Sequence, residues 1–370
     1  MKKISYTNIV EQHKELRLRL MEAIGRVFDH GNFILGEDVL KFEQQFATYC
    51  GTKYAVGLNS GADALFLSLK ALGIGMGDEV ITVPNSFIAT TSAITAVGAR
   101  PIFVDIQEDL NINPHLVEAK ITKKTRALLP VHLTGKPADM DPLRDLAKKY
   151  TLKIIEDAAQ AVGAEYNGQK VGALGDVGCF SLHPLKTLNA CGDAGIAVTN
   201  DESVYKSLLQ FRNIGLKNRD ESDFWGFNSR LDSIQAAILN VKFSYLEEWT
   251  EARRANARVY SEYLKQIVEV PVERKNEKCV YHTFVIQTDK RDELKHYLED
   301  QGISTKIHYP VPIHLQKAAE ALGYQKGDFP VTERASTRIL SLPNYQGLTE
   351  AEIRYIVDHI KNFINNKAKD

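Results

Sequence analysis

Val177-Gly178-Cys179-Phe180-Ser181-Leu182-His183-Pro184-Leu185-Lys186-Thr187-Leu188-Asn189-Ala190-Cys191-Gly192-Asp193-Ala194-Gly195 is the stretch from which both the fold and the chemistry are read. It opens as a short apolar strand, reaches a hydroxyl at Ser181, and breaks at Pro184, which delivers Lys186 into a turn. Gly195-Ile196-Ala197-Val198-Thr199 then begins a second strand. Strands that are apolar along their whole length are buried on both faces. A lysine between two of them is poorly placed for surface duty. Partial desolvation would lower its pKa from about 10.4 and make the amine a nucleophile toward carbonyls. Taken alone, Lys186 reads equally well as a solvated loop lysine.

Upstream, strands and helices alternate. Strands are expected at 54–58, 79–83, 101–105, 126–132 (weakened by Pro130) and 153–157, with helices at 61–72, 88–97, 114–121 and 140–150 between them. Two further helices, around 12–29 and 37–49, lead into this region. The pattern implies an α/β fold whose mostly parallel sheet is flanked by helices on both faces. After Arg230 the pattern changes. Residues 231–264 read as one long helix or a broken pair, with Glu247-Glu248 and Arg253-Arg254 on outer faces. Strands at 280–286 and 305–308, a helix at 291–300 and a closing helix at 350–363 capped by Thr349 follow. This divides the chain into a large domain, 1–245, and a smaller C-terminal α+β domain, 246–370.

Composition sets the bounds. The 370 residues are 44% hydrophobic and 25% charged, with a net charge of −1, ordinary for a globular protein. Nothing favours nucleic acid or an anionic membrane. Cys50, Cys179, Cys191 and Cys279 show no metal-ligand spacing and read as reduced thiols, so no metal is expected. Met1-Lys2-Lys3 lacks the apolar run of a signal peptide, and no stretch is long enough to span a membrane. A cytoplasmic protein is expected.

Ligands of open α/β sheets bind beyond the carboxyl ends of the strands, and four features fall there. Ser60 and Asp63 suit a capping box, and Gly61 lets backbone approach a ligand closely. The amides that begin this helix would favour a phosphate, although a plain helix cap has the same signature. Phe87, after Pro84-Asn85-Ser86, is placed either to stack on a flat ring or to join the core. Asp157 ends a buried strand and needs a partner, either a protonated ring nitrogen or an ordinary base. Ser181 and Lys186 complete the set. A phosphate cradle, a stacking aromatic, an acid for a pyridinium nitrogen and a lysine for an aldehyde together complement pyridoxal 5′-phosphate.

Motifs in order strengthen this reading. Asn59-Ser60-Gly61-Ala62-Asp63-Ala64-Leu65, Glu156-Asp157-Ala158-Ala159-Gln160, Phe180-Ser181 with Pro184 and Lys186, and Gly226-Phe227-Asn228-Ser229-Arg230-Leu231-Asp232 resemble the DegT/StrS sugar aminotransferases over nearly the whole chain. The resemblance implies a fold-type I pyridoxal phosphate transferase and a homodimer with active sites shared between subunits. It also implies work in amino-sugar and polysaccharide biosynthesis. It gives the Gly61 and Ala62 amides and the Ser181 hydroxyl to the cofactor phosphate and Gln160 to the ring hydroxyl. Asn228 is given to the phosphate of the neighbouring subunit. Ala62, Ala194 and Ile214 replace residues frequent in the family, Thr, Gly and His.

The expected activity is transfer of an amino group from an amino acid, glutamate or glutamine, to a keto sugar, most naturally a nucleotide-linked one. A cyclitol or a small phosphorylated ketone is the alternative acceptor. A sugar dehydratase, in which histidine replaces the lysine, and a non-catalytic cofactor-binding regulator are the alternative activities. Lys186 speaks against the first, and the retained Asp157, Gln160, Ser181 and Lys186 against the second. His183, Lys217, Arg219, His308 and Tyr309 are candidate substrate contacts. Packing for His183 and a solvated face for Lys217 and Arg219 are equally open.

Overall fold

The computed structural model describes residues 3–367, so Met1 and Lys2 of the N-terminal stretch read above lie outside the described residues. Two helices lead, α1 (Ile9–His30) and α2 (Glu37–Cys50). The Asn8 side chain accepts from the Glu11 amide to cap α1. Gly31 and Gly51 end the two helices at φ 69° and 74°, a left-handed conformation that glycine adopts without strain.

The expected alternation follows. β1 (Tyr54–Leu58), α3 (Gly61–Ala71), β2 (Glu79–Thr82), α4 (Ile88–Ala96), β3 (Arg100–Phe103), α5 (Pro114–Val117), β4 (Thr125–Leu128), α6 (Met140–Tyr150) and β5 (Lys153–Asp157) run in order. A hairpin, β6 (Glu165–Tyr166) and β7 (Gln169–Lys170), precedes β8 (Val177–Ser181), β9 (Gly195–Thr199) and α7 (Glu202–Phe211). The seven-stranded sheet has the order β1-β9-β8-β5-β4-β2-β3. Pairing is parallel from β8 to β3, and β9 alone runs antiparallel to both neighbours. The loop from β8 to β9 carries no helix for a parallel crossover, so β9 returns in the opposite direction.

Side-chain alternation puts neighbouring apolar residues on opposite faces. Ile154, Phe180 and Val198 join one core with Phe46 of α2. Ile155, Cys179 and Ala197 join the other, with Leu65 and Leu69 of α3. Full burial of each such Ile or Phe contributes roughly 1.5–3 kcal/mol, which fixes the strand register and hence the residues at each strand end.

Beyond the sheet lie α8 (Ser233–Phe243), α9 (Leu246–Leu264), β10 (Glu277–Lys278), β11 (Phe284–Gln287), α10 (Arg291–Asp300), α11 (Pro330–Arg338), β12 (Ile339–Leu342) and α12 (Glu350–Lys367). A separate core gathers Tyr260 and Leu264 of α9, Phe284, Leu298, Leu340, Ile356 and Ile360. Ile4 joins it by pairing with Ile303, which ties the segment before α1 to this core.

Several expectations change. The strand at 126–132 ends at Leu128, two residues before Pro130. The segment 231–264 is a broken pair of helices, and at the break the Ser244 hydroxyl donates back to the Val241 carbonyl, 2.8 Å. Arg253 is not on an outer face: it is buried, its guanidinium donating to the Asn344 carbonyl. The strand expected from 280 begins only at Phe284, and 305–308 keeps a single bridge, Lys306 to Ser341. Thr349 and Glu352 form the capping box of α12.

Candidate active site

The carboxyl edge of the large sheet gathers the strand-end residues. Gly195 pairs with both Leu58 and Ser181. A Cβ on Gly195 would lie 2.2 Å from the Ser60 carbonyl carbon, and one on Gly61 2.7 Å from Ser181 Cβ. Only glycine permits this convergence. Ser60 caps α3, its Oγ accepting from the Asp63 amide at 3.1 Å. The amides of Gly61 and Ala62 precede the intrahelical ladder, and Ser181 and the exposed Ala62 flank the corner.

Asp157 ends β5 and is buried. Its Oδ2 accepts from Thr90 Oγ1 at 2.7 Å and its Oδ1 from the Ala159 amide at 3.2 Å. Burial raises its pKa; those two hydrogen bonds, Lys186 and His132 pull it back. The adjacent Glu156 points the other way and has a different task. It accepts from the amides of Gly172, Leu174 and Gly175 at 2.7–2.8 Å and from His132. His132 Nδ1 accepts from the Ala138 amide, so its proton sits on Nε2 and is donated to Glu156 at 3.0 Å.

Lys186 follows in the turn, its amide donating to the His183 carbonyl at 2.8 Å. Burial lowers the pKa of its amine to about 8, against a smaller opposing effect of Asp157. At neutral pH roughly a tenth of the amine is therefore unprotonated, far more than at the ordinary lysine value. Among the described residues the amine has no hydrogen-bond partner. His183 is exposed, and its Nδ1 accepts from the Leu185 amide at 3.2 Å, which stiffens the same turn.

Gln160 is buried and bridges two elements: Oε1 accepts from the Thr134 amide at 2.7 Å and Nε2 donates to Tyr309 Oη at 3.1 Å. Phe87 is 55% exposed, with its ring 5.8 Å from that of Tyr309. His308 Nδ1 pairs with Ser341 Oγ at 2.9 Å. Burial, then Lys186 and Lys306, push its pKa down to about 4, so it is neutral near pH 7.

The segment 212–230 stands apart. Lys217 and Arg219 are exposed on a loop closed on itself, Lys217 N donating to Glu221 O at 2.9 Å. Asn228 is exposed and paired with Asn213, whereas the buried Ser229 donates to Asn59 Oδ1 at 3.3 Å. The structure therefore brings Ser60, Gly61, Ala62, Asp157, Gln160, Ser181, Lys186, His308 and Tyr309 to one edge and leaves Lys217 and Arg219 facing solvent. Sequence reasoning missed Thr90 and His132. It also missed His282, whose pKa burial and Lys186 hold well below the ordinary value. Among the described residues no helix is long and apolar enough to cross a membrane, and no group of three or more His, Cys, Asp or Glu could hold a metal ion.

The chain is similar to known proteins over nearly its whole length. The family model described as the DegT/DnrJ/EryC1/StrS aminotransferase family matches residues 14–361. A protein of Geobacillus stearothermophilus named pleiotropic regulatory protein is 42% identical over 98% of both chains. The dTDP-3-amino-3,4,6-trideoxy-α-D-glucose transaminase of Streptomyces venezuelae is 42% identical over 98% of this chain and 96% of its own. The UDP-N-acetyl-3-dehydro-α-D-glucosamine 3-aminotransferase of Acidithiobacillus ferrooxidans is 42% identical over 95% of each. Among solved structures, DesV of S. venezuelae superposes with a TM-score of 0.97, 41% identity and coverage of 98% and 99%. A Bacillus subtilis structure with bound cofactor PMP gives 0.93 at 31% identity, covering 99% of this chain and 86% of that one.

Proposed function

The chain belongs to the DegT/DnrJ/EryC1/StrS aminotransferase family, and we propose that it moves an amino group from glutamate onto the C3 carbonyl of a nucleotide-linked sugar. It is a pyridoxal phosphate-dependent aminotransferase. The choice of C3 rests on relatives whose names place the transferred amine there, on dTDP- and UDP-linked sugars.

The residues present fit the cofactor. A corner that a Cβ would fill at Gly61 and Gly195 leaves backbone free to approach a phosphate. The Gly61 and Ala62 amides and the Ser181 hydroxyl would hold that phosphate. The helix terminus contributes about 0.3–2 kcal/mol toward a dianion. Asp157 would hold the proton of the ring nitrogen at its carboxylate, while Phe87 covers the ring and Gln160 meets its hydroxyl. When bound, the cofactor supplies an electrophilic carbon and a ring that accepts electrons.

The observation that carries the reading is the Lys186 amine, desolvated and unpartnered beside a buried carboxylate. As a free base it would take the proton from the α-carbon of the donor. His308 and Tyr309 line the acceptor side, and His183 stiffens the lysine turn. The large and small domains divide at residue 245 under the same reading. We place the protein in the cytoplasm.

A homodimer completes the site. Leu18, Met21 and Phe28 lie exposed along one face of α1, with Leu40 of α2 and, elsewhere, Trp225, an apolar surface suited to a second copy. Asn228, exposed in its own chain, would reach the phosphate held by the partner, and Lys217 and Arg219 would line the partner's acceptor pocket. Mixed dimers of Lys186→Ala and Asn228→Ala chains should then recover activity above the sum of the parents. Verified mixed dimers that recover nothing would place Asn228 in its own chain's site.

Incubation with glutamate and a panel of dTDP- and UDP-linked 3- and 4-ketosugars, read by mass for the amino product, tests the function. Amination of a 3-ketosugar is expected. Amination only at C4, or only of a cyclitol or a small phosphorylated ketone, would overturn the acceptor.

A further inference from the structure

Lys242 is a second lysine whose amine the fold buries, and it has none of the roles above. It lies on α8, in Ser233-Ile234-Gln235-Ala236-Ala237-Ile238-Leu239-Asn240-Val241-Lys242-Phe243, and is 0% exposed. An ammonium has three N–H donors. Those of Lys242 have three acceptors: Asn189 O at 2.9 Å, Asn189 Oδ1 at 2.6 Å and His13 Nε2 at 2.8 Å. None is a carboxylate. A buried charge held only by neutral groups is costly, which demands a reason for its presence.

The acceptors point to one. Asn189 belongs to the loop that begins at Lys186. Its Nδ2 donates to the Lys186 carbonyl at 2.9 Å and to Gln12 Oε1 of α1 at 3.2 Å. A continuous path therefore runs from Lys242 Nζ through the Asn189 carboxamide to the peptide group of Lys186. The same helix holds the loop a second time, where Gln235 Oε1 accepts from the Cys191 amide at 2.8 Å. The amine of Lys186 sits on a flexible four-carbon stem, so its aim depends on how firmly that peptide is fixed.

We propose that Lys242 is a positioning residue for amino transfer: through Asn189 it fixes the Lys186 carbonyl and thereby aims the reacting amine. This rests on the assignment of Lys186 made above. A misplacement of about 1 Å costs on the order of 100-fold in rate, so even a small loosening of the loop is measurable.

Asn189→Asp separates aiming from folding. It keeps the oxygens that Lys242 needs and gives it a counter-ion, but it removes the Nδ2–H that holds the Lys186 carbonyl. In the holoenzyme with glutamate alone, the half-reaction should slow about 10- to 100-fold, with KM for glutamate and cofactor affinity within about threefold. Lys242→Met should slow the same step. The double variant Asn189→Ala with Lys242→Met should be no slower than the worse of its two single variants, as expected of groups on one path. Lys242→Arg, which keeps charge and donors, should recover part of the rate. If Lys242→Met does not fold, Asn189→Asp and Lys242→Arg decide the matter.

Borohydride reduction with peptide mapping reads Lys186 independently of turnover. Adduct on Lys186 together with parent-like half-reaction rates in Asn189→Asp overturns the proposal alone. Multiplicative losses in the double variant do the same. Adduct on another lysine in the parent enzyme overturns the assignment of Lys186 itself, and this proposal with it.

Discussion

Lys186 and Lys242 are both pushed to a pKa of about 8, in each case chiefly by burial, yet they are opposites. The amine of Lys186 has no hydrogen-bond partner among the described residues and faces Asp157 through space. That of Lys242 has an acceptor for every hydrogen and a thiol, Cys191 Sγ, at 3.9 Å. Desolvation alone does not mark a nucleophile. Spare donors mark one: a lysine with nothing to hold it can exchange its proton and form a bond, whereas a lysine with three acceptors is already spent on structure.

The largest expected effect breaks the pair apart. Lys186→Ala should lose about 10²- to 10⁴-fold in turnover, the range a positioned proton-transferring side chain supplies, while the phosphate corner and Asp157 still retain cofactor. Borohydride should then leave the cofactor unfixed. Turnover within tenfold of the parent, or cofactor fixed at Lys242, would refute the distinction drawn here.

Asp157 sharpens the comparison. Its carboxylate raises the pKa of Lys186 against burial, and it is not among the influences on Lys242. Asp157→Asn should therefore move the titration of Lys186 further down and leave that of Lys242 where it is. Labelling of the cofactor-free protein across pH with an amine reagent, mapped by peptide, measures both. Turnover should also fall by about 10²- to 10³-fold, because the ring nitrogen loses the charge that favours its protonation. An unchanged Lys186 titration would mean that the two groups do not sense each other.

The two lysines also differ in how far the sequence reveals them. Lys186 was legible because uninterrupted apolar strands announce burial, Pro184 announces a turn, and the residues at neighbouring strand ends complement one cofactor. Asp157 and Ser181 were legible for the same reason, since a sheet with covered faces leaves its carboxyl edge for ligands. Lys242 stood in view as the one charged residue of the helical stretch 233–243. A single basic residue in such a stretch signals either an edge or a buried ammonium, and periodicity does not choose between them. Its partners, His13 and Asn189, lie far off in the chain, so only the tertiary structure joins them. Arg253 was misread for a related reason, because two of its three acceptors are the carbonyls of His282 and Asn344 and the third is the Gln346 carboxamide, and neutral acceptors far off in the chain leave no trace in composition. The strand expected at 305–308 failed because Thr305-Lys306-Ile307-His308 is too short a pattern to specify a pairing partner.

The smallest effect is a difference in sign. In the unfolded chain both lysines titrate near 10.5 and in the folded protein near 8. Between those values the unfolded chain binds more protons, so stability rises with pH across that window; below about pH 8 each lysine imposes its full desolvation cost. For Lys186 nothing offsets that cost in the cofactor-free protein. Lys186→Met should stabilise it by about 1–3 kcal/mol at pH 7, and the gain should fade as pH rises through 8 to 10.5. For Lys242→Met the same relief is outweighed, because the carbonyl and carboxamide oxygen of Asn189 and the nitrogen of His13 are left short of a donor. That loss is about 1–3 kcal/mol for each group left buried and unsatisfied, so Lys242→Met should destabilise. Urea unfolding of the two cofactor-free variants at pH 7 and at pH 10 reads both. Two changes of the same sign at pH 7 would show that hydrogen bonding does not separate the two lysines.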